Sequence, residues 1–446
     1  LKFNFFLTLF FLVVVVMRPA SAQYWKVNEV REMPVAVTNN AVTSGWLNDT
    51  ALVLSFGGID TTLKAGGIVQ HAWAYNIVTD NWKAIPPLPD TLGKIASAAS
   101  TIGDTVFIIG GYHVLAGGHE VTSNKVHRYR LSTETYLSDG QPVPVPVDDH
   151  VQLVWRDSLI ILITGWSNTT NVNAVQVYDP KSDSWSTGTS VPNNDVYKSF
   201  GAAGAIVGDI IYYLGGASSD GVRNFPIQPY LRIGIIQGGK PLQISWSDTT
   251  LPANRAGYRM AATTAFGRVH WVGGAGATYN FNGLAYANGK GVEPNNRNLS
   301  MDPRSLRFFT DTSSTVKYPM DLRGIAKISD SLFFLAGGME SNQQVSRKTL
   351  RLDYRATPLG GNPHVRGQKG QFFVYPNPVK DYALVRVGVK GPYWLRLYSV
   401  DGLMQYNGQF NKKEVSLALG QFTPGTYVLQ LVANGYTASR LLVVSP

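Results

Sequence analysis

The chain has 446 residues, 44% hydrophobic and only 15% charged, with 45 glycines, 24 prolines and no cysteine, a mixture that points to turn-rich β structure rather than helix or disorder. The missing thiols exclude disulfides, thiolate metal sites, thiol catalysis and any Cys–Tyr cofactor. The net charge of +10 is spread so that residues 1–22 carry +2, 355–370 carry +3, 371–446 carry +4 and 23–354 only about +1, which leaves no basic stripe for nucleic acid.

Lys2 gives a short positive start, Phe5 to Met17 is an apolar run broken only by Thr8, and Ala20-Ser21-Ala22 is a small-x-small cleavage site. Together they predict an export signal over 1–22 and a mature start at Gln23. The run is short for a ~20-residue membrane span and no second one follows, so no transmembrane segment is expected.

From residue 23 onward the chain repeats itself. β-type runs end in Gly57-Gly58, Gly110-Gly111, Gly215-Gly216, Gly273-Gly274 and Gly337-Gly338, with a degraded copy at Thr164-Gly165-Trp166. Successive copies are 53, 55, 50, 58 and 64 residues apart. Other marks keep the same phase. An aromatic pair seven residues apart follows three copies, as Tyr75 with Trp82, Tyr129 with Tyr136 and Tyr178 with Trp185. A turn acid precedes five of the copies, at Asp49, Asp104, Asp157, Asp209 and Asp330. A proline follows each outer strand at Pro34, Pro89, Pro146, Pro192, Pro252 and Pro319.

A period near fifty with this glycine signal resembles the kelch repeat, which implies one four-stranded propeller blade per copy. Six copies predict a six-bladed kelch β-propeller over 23–354. The sixth copy runs out after Tyr354, before an outer strand, whereas Trp25 and Met33-Pro34 match an outer strand and its proline. The N-terminal segment is therefore expected to close the ring, leaving no long unpaired edge.

Residues 355–370 hold Pro358, Gly360-Gly361, Pro363, Gly367 and Gly370 with no hydrophobic period, and read as a linker. Strand-like alternation returns at 383–389, 393–398 and 427–432, with turns at Asp401-Gly402, Pro424-Gly425 and Asn434-Gly435. This predicts a small antiparallel, Ig-like β-sandwich over 371–446. Its Tyr375-Pro376-Asn377-Pro378 opening, Ser399-Val400-Asp401-Gly402, Pro424-Gly425-Thr426-Tyr427 and closing Arg440–Val444 strand resemble the type A C-terminal sorting domain of the Bacteroidetes type IX secretion system. The resemblance implies Sec export into the periplasm, passage over the outer membrane by the type IX machinery, removal of the tail, and a final place outside the cell or on its surface.

Ligands of a propeller meet the loops after the glycines and after the prolines, because loops on a rigid scaffold carry function. Those loops offer Asp149 and His150 beside Asp148, Lys198, Arg255, Tyr258, Arg259, Arg323, Trp166 and Arg223. Arginine pairs with carboxylates bidentately and aromatic faces stack on sugars, so a polar, acidic or sugar ligand is one reading. The other is that the same charges bridge neighbouring sheets. His113 and His119 have no third ligand nearby, so no metal and no cofactor are expected.

Two kelch enzyme families bear comparison. Galactose oxidase needs a cysteine for its radical site, which this chain lacks. The bacterial sialic acid mutarotases are closer: Gly273-Gly274-Ala275-Gly276, Asn288-Gly289-Lys290 and Arg223 are similar to that family, but its catalytic glutamate falls at Ala217, and alanine moves no proton. The expected function is a secreted or surface-held monomeric propeller that binds a carbohydrate or protein ligand. The alternative is a carbohydrate-active enzyme of the mutarotase or epimerase type using Asp148, Asp149 or Asp220.

Overall fold

A computed structural model describes residues 24–219, 225–303, 305–355, 372–388, 391–399, 403–433 and 436–445. The expected export signal, Asp220, Arg223, residues 356–370 of the expected linker, and the turns at Asp401-Gly402 and Asn434-Gly435 lie outside them, whereas Arg355 ends a strand. The chain divides into two compact units, 1–357 and 358–446. Among the described residues no helix is long and apolar enough to cross a membrane.

The first unit holds six four-stranded antiparallel sheets among its described residues, an arrangement consistent with a propeller. In chain order their first strands are Ala41–Leu47, Ala98–Ile102, Val151–Trp155, Phe200–Val207, Ala261–Ala265 and Ala326–Ser329. Those of sheets one to five lie each against the next, and that of sheet six lies against that of sheet one. Such crowding favours small side chains, and Ala98, Ala99, Ala202, Ala203 and Gly204 stand there.

Sheet six takes its fourth strand from the other end of the chain. Tyr24–Glu29 pairs antiparallel with Thr349–Arg355, Trp25 opposite Tyr354. Trp25 is buried, with ring centroids 4.6 Å from Tyr354 and 5.3 Å from Phe333.

The glycine pairs have a job between sheets. The second glycine of each pair donates its N–H to the loop before the next sheet: Gly58 to Lys94 O, Gly111 to Val147 O, Gly165 to Ser199 O, Gly216 to Gly257 O, Gly274 to Pro319 O and Gly338 to Val37 O. The last bond joins the two ends of the repeat. Gly215 shows why a side chain is refused: its φ is +72° and a Cβ there would run into the Gly257 carbonyl.

The aromatic pairs have a job within sheets. Tyr75 faces Trp82, Tyr129 faces Tyr136 and Tyr178 faces Trp185 directly across the outer hairpin, with centroids 5.3, 5.2 and 4.9 Å apart. The seven-residue spacing is thus a cross-strand register.

In the second unit, Phe372–Tyr375, Tyr382–Val387 and Glu414–Ala418 form one sheet; Met404–Phe410, Tyr393–Ser399, Gly425–Ala433 and Tyr436–Val444 form another. One core, including Val385, Leu395, Leu417, Leu429 and Leu442, joins them. The alternation Ala383, Val385, Val387 inward and Tyr382, Leu384, Arg386 outward is that of a half-buried strand. Asn377 ties the opening motif to the closing strand: its Nδ2 donates to Leu441 O at 2.8 Å and its Oδ1 accepts from Val443 N at 2.8 Å.

Candidate functional site

The site is built on a second ring of backbone bonds around the first strands. Asn39 N donates to Asp321 O, Ala96 N to Asn39 O, Asp149 N to Ala96 O, Gly201 N to Asp149 O, Arg259 N to Gly201 O and Leu322 N to Arg259 O. Asn39, Ala96, Asp149, Gly201, Arg259 and Asp321 all have φ between 46° and 67°. Only Gly201 is conformationally free there; the other five hold a left-handed conformation that the ring bonds enforce.

Three ring residues carry charge, and their side chains meet. Arg259 grips Asp149 with both ends of its fork, Nη2 to Oδ2 at 2.6 Å and Nε to Oδ1 at 3.2 Å. Its Nη1 reaches Asp321 Oδ1 at 2.9 Å. Arg323 joins the same cluster, 3.3 Å from Asp149 Oδ1 and donating to His150 O at 2.9 Å. Asp321 also accepts from Thr38 Oγ1 at 2.8 Å. All four side chains are buried, and two arginines balance two carboxylates. Burial acts to lower the Arg259 pKa, but Asp149, Tyr258 and Asp321 together hold it well above its ordinary value.

On one side of this cluster lies a cavity of about 90 Å³. Five aromatic side chains line it: Tyr112, Trp166, Phe200, Phe225 and Tyr286. Trp166, Phe200 and Phe225 meet edge to face at 5.4 to 5.5 Å, and Phe225 meets Tyr286 at 4.8 Å. Polar groups come from Glu120, Asp148, Asp149, Arg259 and Asn280. Asp148 Oδ2 accepts from Thr122 Oγ1 at 2.8 Å. Burial, then the neighbouring Asp149 charge, pushes the Asp148 carboxyl well above the usual carboxylate range. Burial also raises Glu120, with the Arg259 charge opposing it.

The structure brings Asp149, Arg259 and Trp166 to this cavity. Tyr258 lies fully buried behind it, 5.1 Å from the Arg259 guanidinium and 5.0 Å from Tyr279. Arg323 and His150 line a different cavity, about 80 Å³, among the small side chains of the first strands. His150 is driven down to about 3 by burial and by Arg323, so it stands neutral there. Arg255 points elsewhere, over Phe308 at 5.4 Å. Lys198 is half-buried, on a turn whose N–H bonds to Asn194 O. Among the described residues no group of three or more His, Asp or Glu side chains is placed to hold a metal.

Sequence reasoning passed over Glu120, Phe200, Phe225 and Tyr286. Glu120 stands beside His119 in a post-glycine segment and carried the same signal of phase. Nothing in their spacing sets the three aromatics apart, although Phe200 and Phe225 lie two residues after Lys198 and Arg223.

Residues 373–445 match the family described as the secretion system C-terminal sorting domain. Kelch-like protein 36 of Bos taurus is 23% identical over 203 residues, 46% of this chain and 30% of the relative. Kelch-like protein terF of Aspergillus terreus is 32% identical over 126 residues, 27% of this chain and 26% of the relative. The chain thus spans between 26% and 30% of the length of these relatives. A solved structure, that of YjhT, superposes with a TM-score of 0.57 at 13% identity, over 73% of this chain and 99% of the other.

The chain pairs a kelch-type repeat region with a secretion sorting tail. That tail indicates export to the cell surface or the extracellular space.

Proposed function

We propose that this is a six-bladed kelch propeller, exported by the type IX system with an Ig-like sorting domain, that binds a carbohydrate in the aromatic cavity beside Arg259. The proposed boundaries are a signal over 1–22, the propeller over 23–354, a linker over 355–370 and the sorting domain over 371–446. The route runs through Sec and the periplasm, and the mature protein acts as a monomer. One observation carries the ligand reading: five aromatic side chains share a cavity with carboxyl, amide and guanidinium groups. Rings stack on the apolar faces of a sugar while a few fixed polar groups orient it. A protein ligand on the same face remains the other binding reading. An acidic ligand is less well served, since each arginine of the cluster already has its carboxylate.

A glycan array probed with the protein tests this. Binding to a defined glycan class is expected, and Trp166→Ala should weaken it by about 1–3 kcal/mol if the indole is the stacking platform. An array without signal, or signal that Trp166→Ala leaves unchanged, rejects this site.

A second reading, a sugar mutarotase or epimerase, draws on Asp148 in the same cavity, whose raised pKa suits a proton donor. Asp149 is already committed to two arginines.

A further inference from the structure

The charges around the cavity do not cancel evenly. Arg259 and Arg323 are matched by Asp149 and Asp321. Glu120 and Asp148 also face the cavity, where among the described residues lining it the sole cation is Arg259, already paired to Asp149 and Asp321. Among the described residues Glu120 has no hydrogen-bond or ion-pair partner, although its side chain is half-buried. Asp148 is buried to 3% exposure with one hydroxyl as its partner. A carboxyl set into an aromatic wall without a cation is costly to ionise. A ligand that brought a cation would reverse that cost.

The walls suit such a ligand. Trp166, Phe200, Phe225 and Tyr286 meet edge to face, so rings in this wall turn their faces in different directions. The face of an aromatic ring attracts an ammonium group within about 6 Å, and a primary ammonium also donates charge-assisted hydrogen bonds to carboxylates. Sugar hydroxyls find further partners in Asn280 and in the same carboxyls.

We propose that the cavity selects a carbohydrate bearing a free ammonium group, an amino sugar, over its neutral, acetylated and acidic counterparts. This rests on the carbohydrate reading above and names the substrate class within it. Glu120 is the group that contacts the ammonium, and Asp148 is the second acceptor. Tyr112, Asp149, Arg259, His119 and Tyr286 are other titratable groups that act on Glu120 and its surroundings. Burial raises both carboxyls, so binding an ammonium draws a proton off them. Affinity for the amino sugar should therefore rise with pH between the ordinary carboxylate range and neutrality, while affinity for a neutral sugar should not.

Titration calorimetry of the protein at neutral pH with glucosamine, glucose, N-acetylglucosamine and glucuronate decides the matter. Glucosamine should bind at least about tenfold more tightly than glucose, the scale of one hydrogen bond to a charged group. Glu120→Gln should bring the ratio of glucosamine to glucose affinity to near parity. Should Glu120→Gln fail to fold, titrations of the unaltered protein inside that pH window, below neutrality, in buffers of different ionisation enthalpy report the proton released with glucosamine. Equal affinity for glucose and glucosamine, preference for glucuronate, or no proton release overturns the amino-sugar inference and leaves the carbohydrate reading standing. Failure of all four sugars, with a silent glycan array, overturns both.

Discussion

The outer hairpins and the axial ring of the same sheets are held by different chemistry. At the perimeter, Tyr75, Tyr129 and Tyr178 each meet an aromatic partner seven residues away on the same hairpin. Two of these tyrosines also bond locally, Tyr75 to Asp80 at 2.7 Å and Tyr178 to Asp183 at 2.5 Å. At the axis, the equivalent ring positions hold Asn39, Ala96, Asp149, Gly201, Arg259 and Asp321, five residue types in one backbone conformation. A perimeter contact is complete within one repeat and is copied along the chain. An axial contact needs side chains from sequence-distant repeats, so each position is free to differ and only the backbone is shared.

This contrast is broken most forcefully at Arg259. Arg259→Met should destabilise the fold by about 3–5 kcal/mol in urea denaturation, because it leaves the buried Asp321 without a cation and Asp149 with Arg323 alone. Adding Asp321→Asn to that variant should restore most of the loss, since Asp149 keeps Arg323 and a neutral amide carries no such penalty. If the single variant melts like the parent, the axial cluster contributes nothing that the perimeter does not.

The seam where Tyr24–Glu29 pairs with Thr349–Arg355 tests the perimeter. Trp25→Ala should cost about 3 kcal/mol or more, the range for emptying a buried aromatic site, and its denaturation midpoint should fall without a change of slope. An unchanged midpoint would mean that the N-terminal strand does not hold sheet six closed.

The smallest effect is one of pH. The Asp148 pKa is raised in the folded state, so its contribution to stability is fully present below the ordinary carboxylate value and is lost as pH rises through the elevated one. Against Asp148→Asn, the unaltered protein should therefore lose stability across that window, with a slope of at most about 1.4 kcal/mol per pH unit for one proton. Parallel stability curves for the two proteins would show that Asp148 ionises as readily folded as unfolded.

Sequence alone carried the features whose physics is local. Gly215-Gly216 is readable because no side chain fits beside the Gly257 carbonyl. Tyr178 and Trp185 are readable because a cross-strand register fixes their spacing. Tyr375-Pro376-Asn377-Pro378 and the last strand are readable as a pair, and Asn377 bonds one to the other. Trp25 was legible as a displaced outer strand because its phase matched a gap at the far end of the chain.

The site was legible only in part. Arg259 and Asp149 stood out as charges in equivalent loops, but nothing in the order of residues says that 110 positions apart they share two hydrogen bonds. Arg255 and Lys198 carried the same signal of phase, yet Arg255 lies over Phe308 and the half-buried Lys198 is not among the residues that line the cavity. The sequence by itself determined the repeat, the closing strand, the sorting tail and the kinds of residue offered by each loop, since all of these follow from backbone conformation and short-range register. Only the tertiary structure decided which charges cancel, that Glu120 and Asp148 are left facing a ring of aromatic side chains, and that His150 stands neutral, because burial and pairing depend on residues that meet only when the sheets close around their axis.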